Sequence, residues 1–238
     1  NRQNLKPYRQ TIVEGIKKTS MYFKKAYITL SQVASVLDEI ELCYLNSIDY
    51  STMRLLNKHI FEDIDININH SASVRKFFAS AITPAGVYDY CNILIEDQMT
   101  IYNLISPMGL GSKYILSDIL TMAYKLNIDT EVYYCPLRPK DINMIIMPML
   151  NIAVIADTPF LSINKKDLSL IQIEDIETST STTKIHQDLI DRFYYLLNLA
   201  IADIDRAKKC HDKLEDIYSN AMDFNGLENI LESVLALF

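Results

Sequence analysis

The sequence predicts an α/β fold in which a parallel sheet, with helices on both faces, is flanked by long helices. Between residues 75 and 176, short apolar runs alternate with helical patterns, which is typical of strand–helix–strand units. On either side, residues 8–46 and 185–218 carry apolar positions at helical spacing over many turns. With 238 residues and 49% hydrophobic content, the chain is long and apolar enough to bury a sizeable core.

Two helices and a boundary are predicted before the central region. The long pattern over 8–46 starts just after Pro7, which suits a helix start, and Asp49 or Ser51 is placed to cap a second, shorter helix. Residues 63–74 alternate polar and apolar but are rich in Asp and Asn. An edge strand and a linker both remain open there, and we place a domain boundary in this stretch.

The central region contains the alternating elements. We predict, in chain order, a strand over 77–82, a turn over 83–86, a short helix over 87–95, a strand over 99–105, a helix over 114–126, a strand over 130–135, a helical turn over 141–146, and a buried strand over 152–156. A short apolar strand over 168–173 could extend the sheet. Residues 177–184 are polar and low in complexity, so we expect a flexible linker rather than a lid that contacts phosphate. A short helix over 225–237 follows the second long helix.

The most informative stretch is residues 106–113, Ser-Pro-Met-Gly-Leu-Gly-Ser-Lys, between a predicted strand and a predicted helix. In a phosphate-binding loop, glycines let backbone N–H groups surround phosphates, a lysine follows the last glycine, and the next Ser or Thr hydroxyl holds Mg²⁺. Here Ser112 stands at the lysine position and Lys113 at the hydroxyl position, so we expect damaged or absent hydrolysis. A tight turn with no ligand remains the alternative. The candidate nucleotide-binding residues are Ser106, Gly109, Gly111, Ser112 and Lys113.

Asp157 supplies a possible second half of this site. It ends the predicted buried strand over 152–156, and a strand-end Asp beside a phosphate loop holds the water shell of Mg²⁺. Such residues also commonly begin turns, and Thr158-Pro159 follows directly. We therefore carry Asp157 as a candidate metal ligand, and Lys113 with Asp157 as the candidate catalytic residues.

The two long helical segments look like one unit repeated at an offset of 174 residues. A shared apolar pattern would align apolar positions by chance, but not this many polar ones. Each copy carries a carboxylate pair, Asp38 with Glu41 and Asp212 with Glu215, that shares a helix face. For these pairs we favour helix capping, pairing with lysines or simple solvent exposure over cation binding or acid–base chemistry. The identical positions are Asp38/Asp212, Glu41/Glu215, Tyr44/Tyr218, Asn46/Asn220 and Asp49/Asp223, with Ile16/Ile190 and Ala26/Ala200.

The composition of the chain argues against two classes of partner, nucleic acid and membrane. A net charge of −7 and a pI near 5.1 argue against nucleic acid, which selects clustered Lys and Arg. No signal peptide and no uncharged apolar run of about 18 residues is present, so no membrane partner is expected. The cysteines are far apart and lack metal spacing, which favours a reducing cytoplasm: Cys43, Cys91, Cys135 and Cys210.

Several segments carry a resemblance: Arg-Lys-Phe-Phe-Ala-Ser-Ala-Ile-Thr-Pro-Ala-Gly over 75–86, the loop, Tyr-Tyr-Cys-Pro-Leu-Arg-Pro over 133–139, the strand region over 148–157, and the tail over 211–224. Almost the whole chain resembles a family of poorly characterised bacterial P-loop NTPase-like proteins with two P-loop modules in tandem. The resemblance implies a second module preceded by the helical tail of a first, and ATP or GTP with Mg²⁺ as the ligand, if any. The absence of Met at residue 1 also suggests a fragment.

The departures from the family pattern are equally informative. The family loop usually runs Gly-x-Pro-Gly-x-Gly-Lys-Ser, which this chain replaces with 106–113. Polar positions are changed while the apolar skeleton persists, as expected for a retained fold with relaxed chemistry. The other changes are Lys76, Tyr134 and Phe160 where similar chains carry His, and Arg138 where they carry Asp.

These observations give three segments and three functional hypotheses. Residues 1–62 are the helical tail of a preceding module, 75–176 the P-loop-like core, and 184–238 a second helical tail. We expect a cytoplasmic, non-hydrolysing or weakly nucleotide-binding scaffold that pairs through its long helices with itself or with a missing first module. The alternative is an active Mg²⁺-dependent ATPase or GTPase that uses Lys113 and Asp157. A helical adaptor unrelated to nucleotide is the third hypothesis.

Overall fold

The computed structural model describes residues 2–44, 50–61, 71–165, 169–172, 180–222 and 224–236. The helices are α1 (Arg2–Leu5), α2 (Arg9–Tyr44), α3 (Tyr50–Phe61), α4 (Cys91–Leu94), α5 (Ser112–Lys125), α6 (Thr180–Ala221) and α7 (Phe224–Leu235). The strands are β1 (Val74–Phe77), β2 (Ser80–Thr83), β3 (Gly86–Asp89), β4 (Thr100–Ile105), β5 (Thr130–Tyr134), β6 (Ile142–Met147), β7 (Ile152–Ala156) and β8 (Ser169–Gln172). Short 3₁₀ turns cover Lys6–Tyr8, Pro107–Gly109 and Pro148–Leu150.

The fold is α/β, but its main sheet is mixed rather than parallel. Six strands lie in the order β1-β5-β6-β7-β4-β8. The pairs β1/β5, β4/β7 and β4/β8 are parallel, whereas β6 is antiparallel to both β5 and β7. The predicted helical turn over 141–146 is wrong, because these residues form β6. A mostly apolar run that is buried on both faces has no alternation to mark it as a strand, and the short connections on both sides of it force antiparallel pairing.

Two other predicted elements differ from the structure. The expected strand over 77–82 is divided between β1 in the main sheet and β2, which pairs with β3 in a separate antiparallel hairpin. The expected helix over 87–95 is therefore only partly correct, because residues 87–89 belong to β3 and residues 91–94 form α4. The turn between β2 and β3 falls where predicted, and the hydroxyl of Thr83 stabilises it by donating to the Gly86 carbonyl.

Several predictions fall wholly or partly outside the described residues. These include the Asp49 cap and most of the 63–74 stretch. Of the linker expected over 177–184, residues 177–179 are outside the described residues, and residues 180–184 belong to α6.

The two faces of the main sheet have different covers. Helices α5 and α3 cover one face, where alternate strand residues such as Leu104, Val132, Ile145 and Val154 pack in one cluster with Leu116, Ile119, Leu56 and Ile60. The segment that carries the β2–β3 hairpin and α4 covers the other face, where Ile101, Met144, Ile146 and Ile155 pack with Ala79, Cys91 and Ile95. Helices on both faces were expected, with the long helices flanking the sheet; the structure instead covers one face with α3 and α5 and the other with the hairpin segment and the single-turn α4.

The long helices α2 and α6 form an antiparallel pair. The Asn4 side chain donates to the carbonyl of Ala221, and Arg192 pairs with Glu39 near the other end. Between these ends the helices pack closely, and a Cβ added at Gly15 would lie 2.5 Å from Leu214. Buried positions coincide at the 174-residue offset: Ala26/Ala200, Val33/Ala207 and Ile40/Leu214.

This helix pair rests against the loops at the carboxyl ends of β4, β5 and β7. One cluster joins Val33, Leu37 and Ile40 of α2 and Phe193 and Leu197 of α6 to Leu110, Cys135 and Phe160 of the loops. The rings of Phe160 and Phe193 meet edge to face with centroids 6.1 Å apart. All three predicted segments therefore contribute to one hydrophobic cluster, which places α2 directly beside the candidate loop.

Candidate functional site

The loop after β4 has an unusual backbone. Met108, Gly109 and Gly111 have positive φ angles of 57°, 76° and 79°. A Cβ added at Gly109 would lie 2.4 Å from the Cγ2 of Thr158 and 3.1 Å from the carbonyl oxygen of Asp157. The Gly-x-Gly sequence therefore lets the loop after β4 lie directly on the loop after β7.

Part of the loop's backbone is already satisfied internally. The N–H of Gly109 donates to the carbonyl of Ser106 at 3.1 Å, and the N–H of Leu110 donates to Pro107 at 3.1 Å. In a phosphate-binding loop such N–H groups point at the ligand instead. Gly111 precedes the first residue of α5, and Ser112 is buried with 1% exposure.

The side chain of Lys113 extends from the first turn of α5 to α2, where it forms an ion pair with Glu41. Its Nζ lies 2.6 Å from one carboxylate oxygen of Glu41 and 2.8 Å from the other. The side chains are largely buried, with 25% and 10% exposure. Lys113 also lies 4.0 Å from Asp141, and over the ring of Tyr114 at 5.1 Å. Its ammonium group is therefore already paired within the chain.

Arg138 extends this pair into a five-residue network. Its guanidinium lies 2.7 Å from Asp141, 2.8 Å from Asp38 and 3.1 Å from Glu41. A tight turn fixes its position, because the Asp141 N–H donates to the Arg138 carbonyl at 2.9 Å. Burial lowers the pKa of Arg138, but the charges of Asp141 and Glu41 and the hydrogen bond to Asp38 outweigh it and raise that pKa overall.

The space beside the loop is nearly filled by these side chains. The cavity has a volume of about 20 Å³. That is roughly the room for one water molecule. Thr158 and Phe160 line it from the loop after β7. The loop glycines and the charged residues also line it: Gly109, Gly111, Glu41, Lys113, Arg138 and Asp141.

Asp157 lies at the carboxyl end of β7, next to the strand that leads into the loop. Strands β4 and β7 are parallel and pair Leu104 with Ala156. The Asp157 N–H donates to the Leu104 carbonyl at 3.0 Å, so the backbone is fixed beside the loop. Partial burial raises the pKa of the Asp157 carboxyl above its ordinary value. Asp157 does not line the small cavity.

Other polar atoms near the carboxyl ends of the strands are buried without a hydrogen-bond partner. They belong to two serines of the loop and to one asparagine on each of β4 and β6: Ser106 Oγ, Ser112 Oγ, Asn103 Oδ1 and Asn143 Nδ2. An unsatisfied buried polar group costs about 1–3 kcal/mol. The loop region therefore contains several buried polar groups whose hydrogen-bonding capacity is not met by the residues that the structure describes.

The repeated carboxylate pairs occupy different environments. Asp38 and Glu41 contact Arg138 and Lys113 of the core. The pair in α6 instead meets neighbours on its own helix, with Asp212 accepting from Lys208 at 2.6 Å and Glu215 lying 3.5 Å from His211. His211, Asp212 and Glu215 offer ligand atoms within 4.8 Å of one another on an exposed surface. Glu41 and Asp212 thus each pair with a lysine, which is one of the roles favoured for these pairs from the sequence.

Comparison with protein-family models, with curated proteins and with solved structures finds no match to this chain. Within the part of the chain that the structure describes, no helix is both long and apolar enough to cross a membrane.

The sequence predicted Lys113 and the loop as site residues, but it did not predict that Glu41 and Arg138 lie beside them. Glu41 precedes Lys113 by 72 positions and Arg138 by 97, so no local spacing connects them. Glu41 was singled out as half of a repeated carboxylate pair, and Arg138 as a departure from a family pattern. Neither signal indicated that the two side chains meet at the loop.

Proposed function

We propose that this chain is a degenerate P-loop-like scaffold protein that neither hydrolyses nucleotide nor binds it tightly. The observation that carries the proposal is the ion pair between Lys113 and Glu41 beside a cavity of about 20 Å³. Pockets for small molecules and cofactors have volumes of about 300–1,000 Å³. A nucleoside triphosphate would therefore have to displace α2 side chains from the loop before it could enter.

The local charge also disfavours a polyphosphate. Lys113 and Arg138 supply two positive charges, and Asp38, Glu41 and Asp141 supply three negative charges within the same network. A triphosphate would approach three carboxylates while its natural contacts, the two cations, are already paired. Removal of water from such a site strengthens this repulsion.

The scaffold part of the proposal rests on the long helices. Helices α2 and α6 have 36 and 42 residues and pack along each other, yet many apolar side chains remain exposed on their outer faces. Exposed apolar surface of this kind is typical of contact with a partner. We also propose a bacterial, cytoplasmic protein, supported by the family resemblance and by four free cysteines.

One observation favours the alternative of an active Mg²⁺-dependent ATPase or GTPase. Strands β4 and β7 are adjacent and parallel, and Gly109 lies against the carbonyl of Asp157. This brings the loop next to the backbone of a strand-end Asp, the position from which a carboxylate holds Mg²⁺ in phosphoryl transfer. The alternative needs Glu41 to release Lys113 when nucleotide binds.

Isothermal titration with ATP and with GTP, with and without Mg²⁺, separates these proposals. We expect no heat of binding at millimolar nucleotide for the unmodified chain. Glu41→Gln removes the carboxylate charge at nearly constant shape, and the matched control Asp205→Asn changes an exposed pair with Lys209 far from the loop. Mg²⁺-dependent binding by the unmodified chain that disappears in Asp157→Ala and Lys113→Ala would overturn the proposal and support the enzyme.

Binding that appears only in Glu41→Gln would support a site that is closed by α2. Hydrolysis assays on the same proteins then show whether the freed Lys113 also restores turnover, and thermal melts by circular dichroism verify that each variant is folded. A chain that binds nucleotide equally well with and without Glu41 would show that the ion pair does not close the loop.

A further inference from the structure

An apolar groove lies on the outer face of the α2–α6 pair. Ile16, Phe23 and Tyr27 of α2 form an exposed stripe, and the groove that they line together with Leu214 and His211 has a volume of about 500 Å³. The rings of Phe23 and Tyr27 stack with centroids 6.3 Å apart, so the stripe presents a continuous aromatic surface. An exposed patch of this kind is typical of an interaction site.

The α2 side of this groove is positively charged. The sequence contains four lysines and no acidic residue between Glu14 and Asp38. Lys24 lines the groove, and Lys17 lies seven residues before it, on the same flank of the helix. Both lysines are exposed, and neither forms an ion pair with the residues that the structure describes. Any occupant of the groove should therefore be apolar on one face and acidic beside it.

Helix α7 has this chemistry. Phe224, Leu231 and Leu235 are exposed at intervals of seven and four residues, the same intervals that separate the three α2 stripe residues. Glu228 and Glu232 are exposed beside this stripe, and α7 contains no lysine or arginine. Such an apolar stripe with a charged flank is the pattern by which paired helices recognise each other.

We propose that α7 of a second copy of this chain docks in the α2–α6 groove, and that the two copies exchange their α7 helices to form a dimer. The groove and the α7 stripe are both exposed on the same chain, so each copy offers one groove and one helix. Reciprocal exchange fills both grooves and closes the assembly, as in the two-fold dimers most common among soluble proteins. Lys17 and Lys24 then face Glu228 and Glu232. The inference is independent of nucleotide, because neither surface lines the cavity beside the loop.

Charge reversal with rescue tests the dimer by sedimentation equilibrium across a range of protein concentrations. The unmodified chain should reach twice its monomer mass of 27.4 kDa. Lys17→Glu with Lys24→Glu, and separately Glu228→Lys with Glu232→Lys, should each weaken the dimer by roughly tenfold or more. All four changes together should restore most of the affinity, which a structural defect would not do.

The matched control is Lys18→Glu with Lys25→Glu, because these exposed lysines lie on the same helix but on the side away from the groove stripe. This control should leave the dimer unchanged. A chain that stays monomeric at every concentration would overturn the inference, as would a dimer that persists when the chain is ended at Met222. Equal weakening by the control, or failure of the combined reversal to restore association, would also overturn it.

Discussion

The carboxylate of Glu41 on α2 lies 2.6 Å from the ammonium group of Lys113 at the start of α5, although the two residues are 72 positions apart. This contact joins the long-helix layer to the loop after β4. It also places an acidic side chain against the small cavity that the loop glycines line.

Glu41→Ala should lower the free energy of unfolding by about 2–4 kcal/mol, because it leaves two buried cations, Lys113 and Arg138, without their shared carboxylate. Urea unfolding measures the loss. Asp205→Ala breaks the exposed pair with Lys209 and should cost less than about 1 kcal/mol. Equal small losses in both variants would show that the Glu41 contact does not hold α2 against the loop.

Gly15→Ala should destabilise the chain even though alanine favours helix, because the new Cβ would lie 2.5 Å from the Leu214 side chain. Leu214→Ala alone should cost about 2–5 kcal/mol through the cavity that it leaves. The double variant should lose less than the sum of the two single losses, since alanine at 15 then occupies freed space. Thermal and urea unfolding of the unmodified chain, the two single variants and the double variant give a double-mutant cycle. Strictly additive losses of unfolding free energy would contradict the close packing of α2 on α6.

Gly109→Ala should destabilise the chain for two separable reasons. The left-handed φ of 76° strains any side chain, and the new Cβ would lie 2.4 Å from the Thr158 Cγ2 atom. Thr158→Ser removes that methyl group while keeping the hydroxyl that accepts from the N–H groups of Phe160 and Leu161. We therefore expect Thr158→Ser to recover part of the loss in denaturant unfolding, and the remainder measures backbone strain. No recovery would mean that the two loops are not in contact.

Asp157→Asn should raise the melting temperature at pH 7. Burial raises the pKa of Asp157 in the folded chain, so ionisation opposes folding. The contribution of Asp157 to stability is complete below its unfolded pKa, about 3.9, and is lost as the pH rises through the higher folded pKa. The difference between variant and unmodified chain should therefore disappear near pH 3.

Asp97→Asn serves as the control for Asp157→Asn, because the pKa of Asp97 is shifted in the opposite direction. A hydrogen bond from Lys165, followed by its charge, lowers the pKa of Asp97. Ionised Asp97 thus stabilises the folded chain above its unfolded pKa, and this stability is lost as the pH falls through the lower folded pKa. Its variant should melt slightly lower at pH 7 and converge with the unmodified chain in acid. Parallel behaviour of the two variants would contradict the assigned environments.

The local elements with strong periodicity were predictable from the sequence. The spacing over 8–46 and 185–218 corresponds to α2 and α6, and the apolar run over 152–156 corresponds to β7. These predictions depend only on local sequence, because the spacing of apolar residues that identifies a helix or a strand involves residues close together in the chain. The helical turn predicted over 141–146 is wrong, because residues 142–147 form β6 and burial on both faces of the sheet removes the alternation that identifies a strand.

The sequence by itself determined the α/β class, the long helices and the position of the glycine-rich loop, since each depends on residues close together in the chain. Only the tertiary structure decided the strand order, the antiparallel place of β6 and the partners of the loop lysine. Glu41 and Asp141 meet Lys113, and Arg138 joins them through the same two carboxylates, because the loops after β4 and β5 lie at one edge of the sheet and α2 packs across that edge. Such convergence depends on packing between distant segments, which no local period or motif encodes.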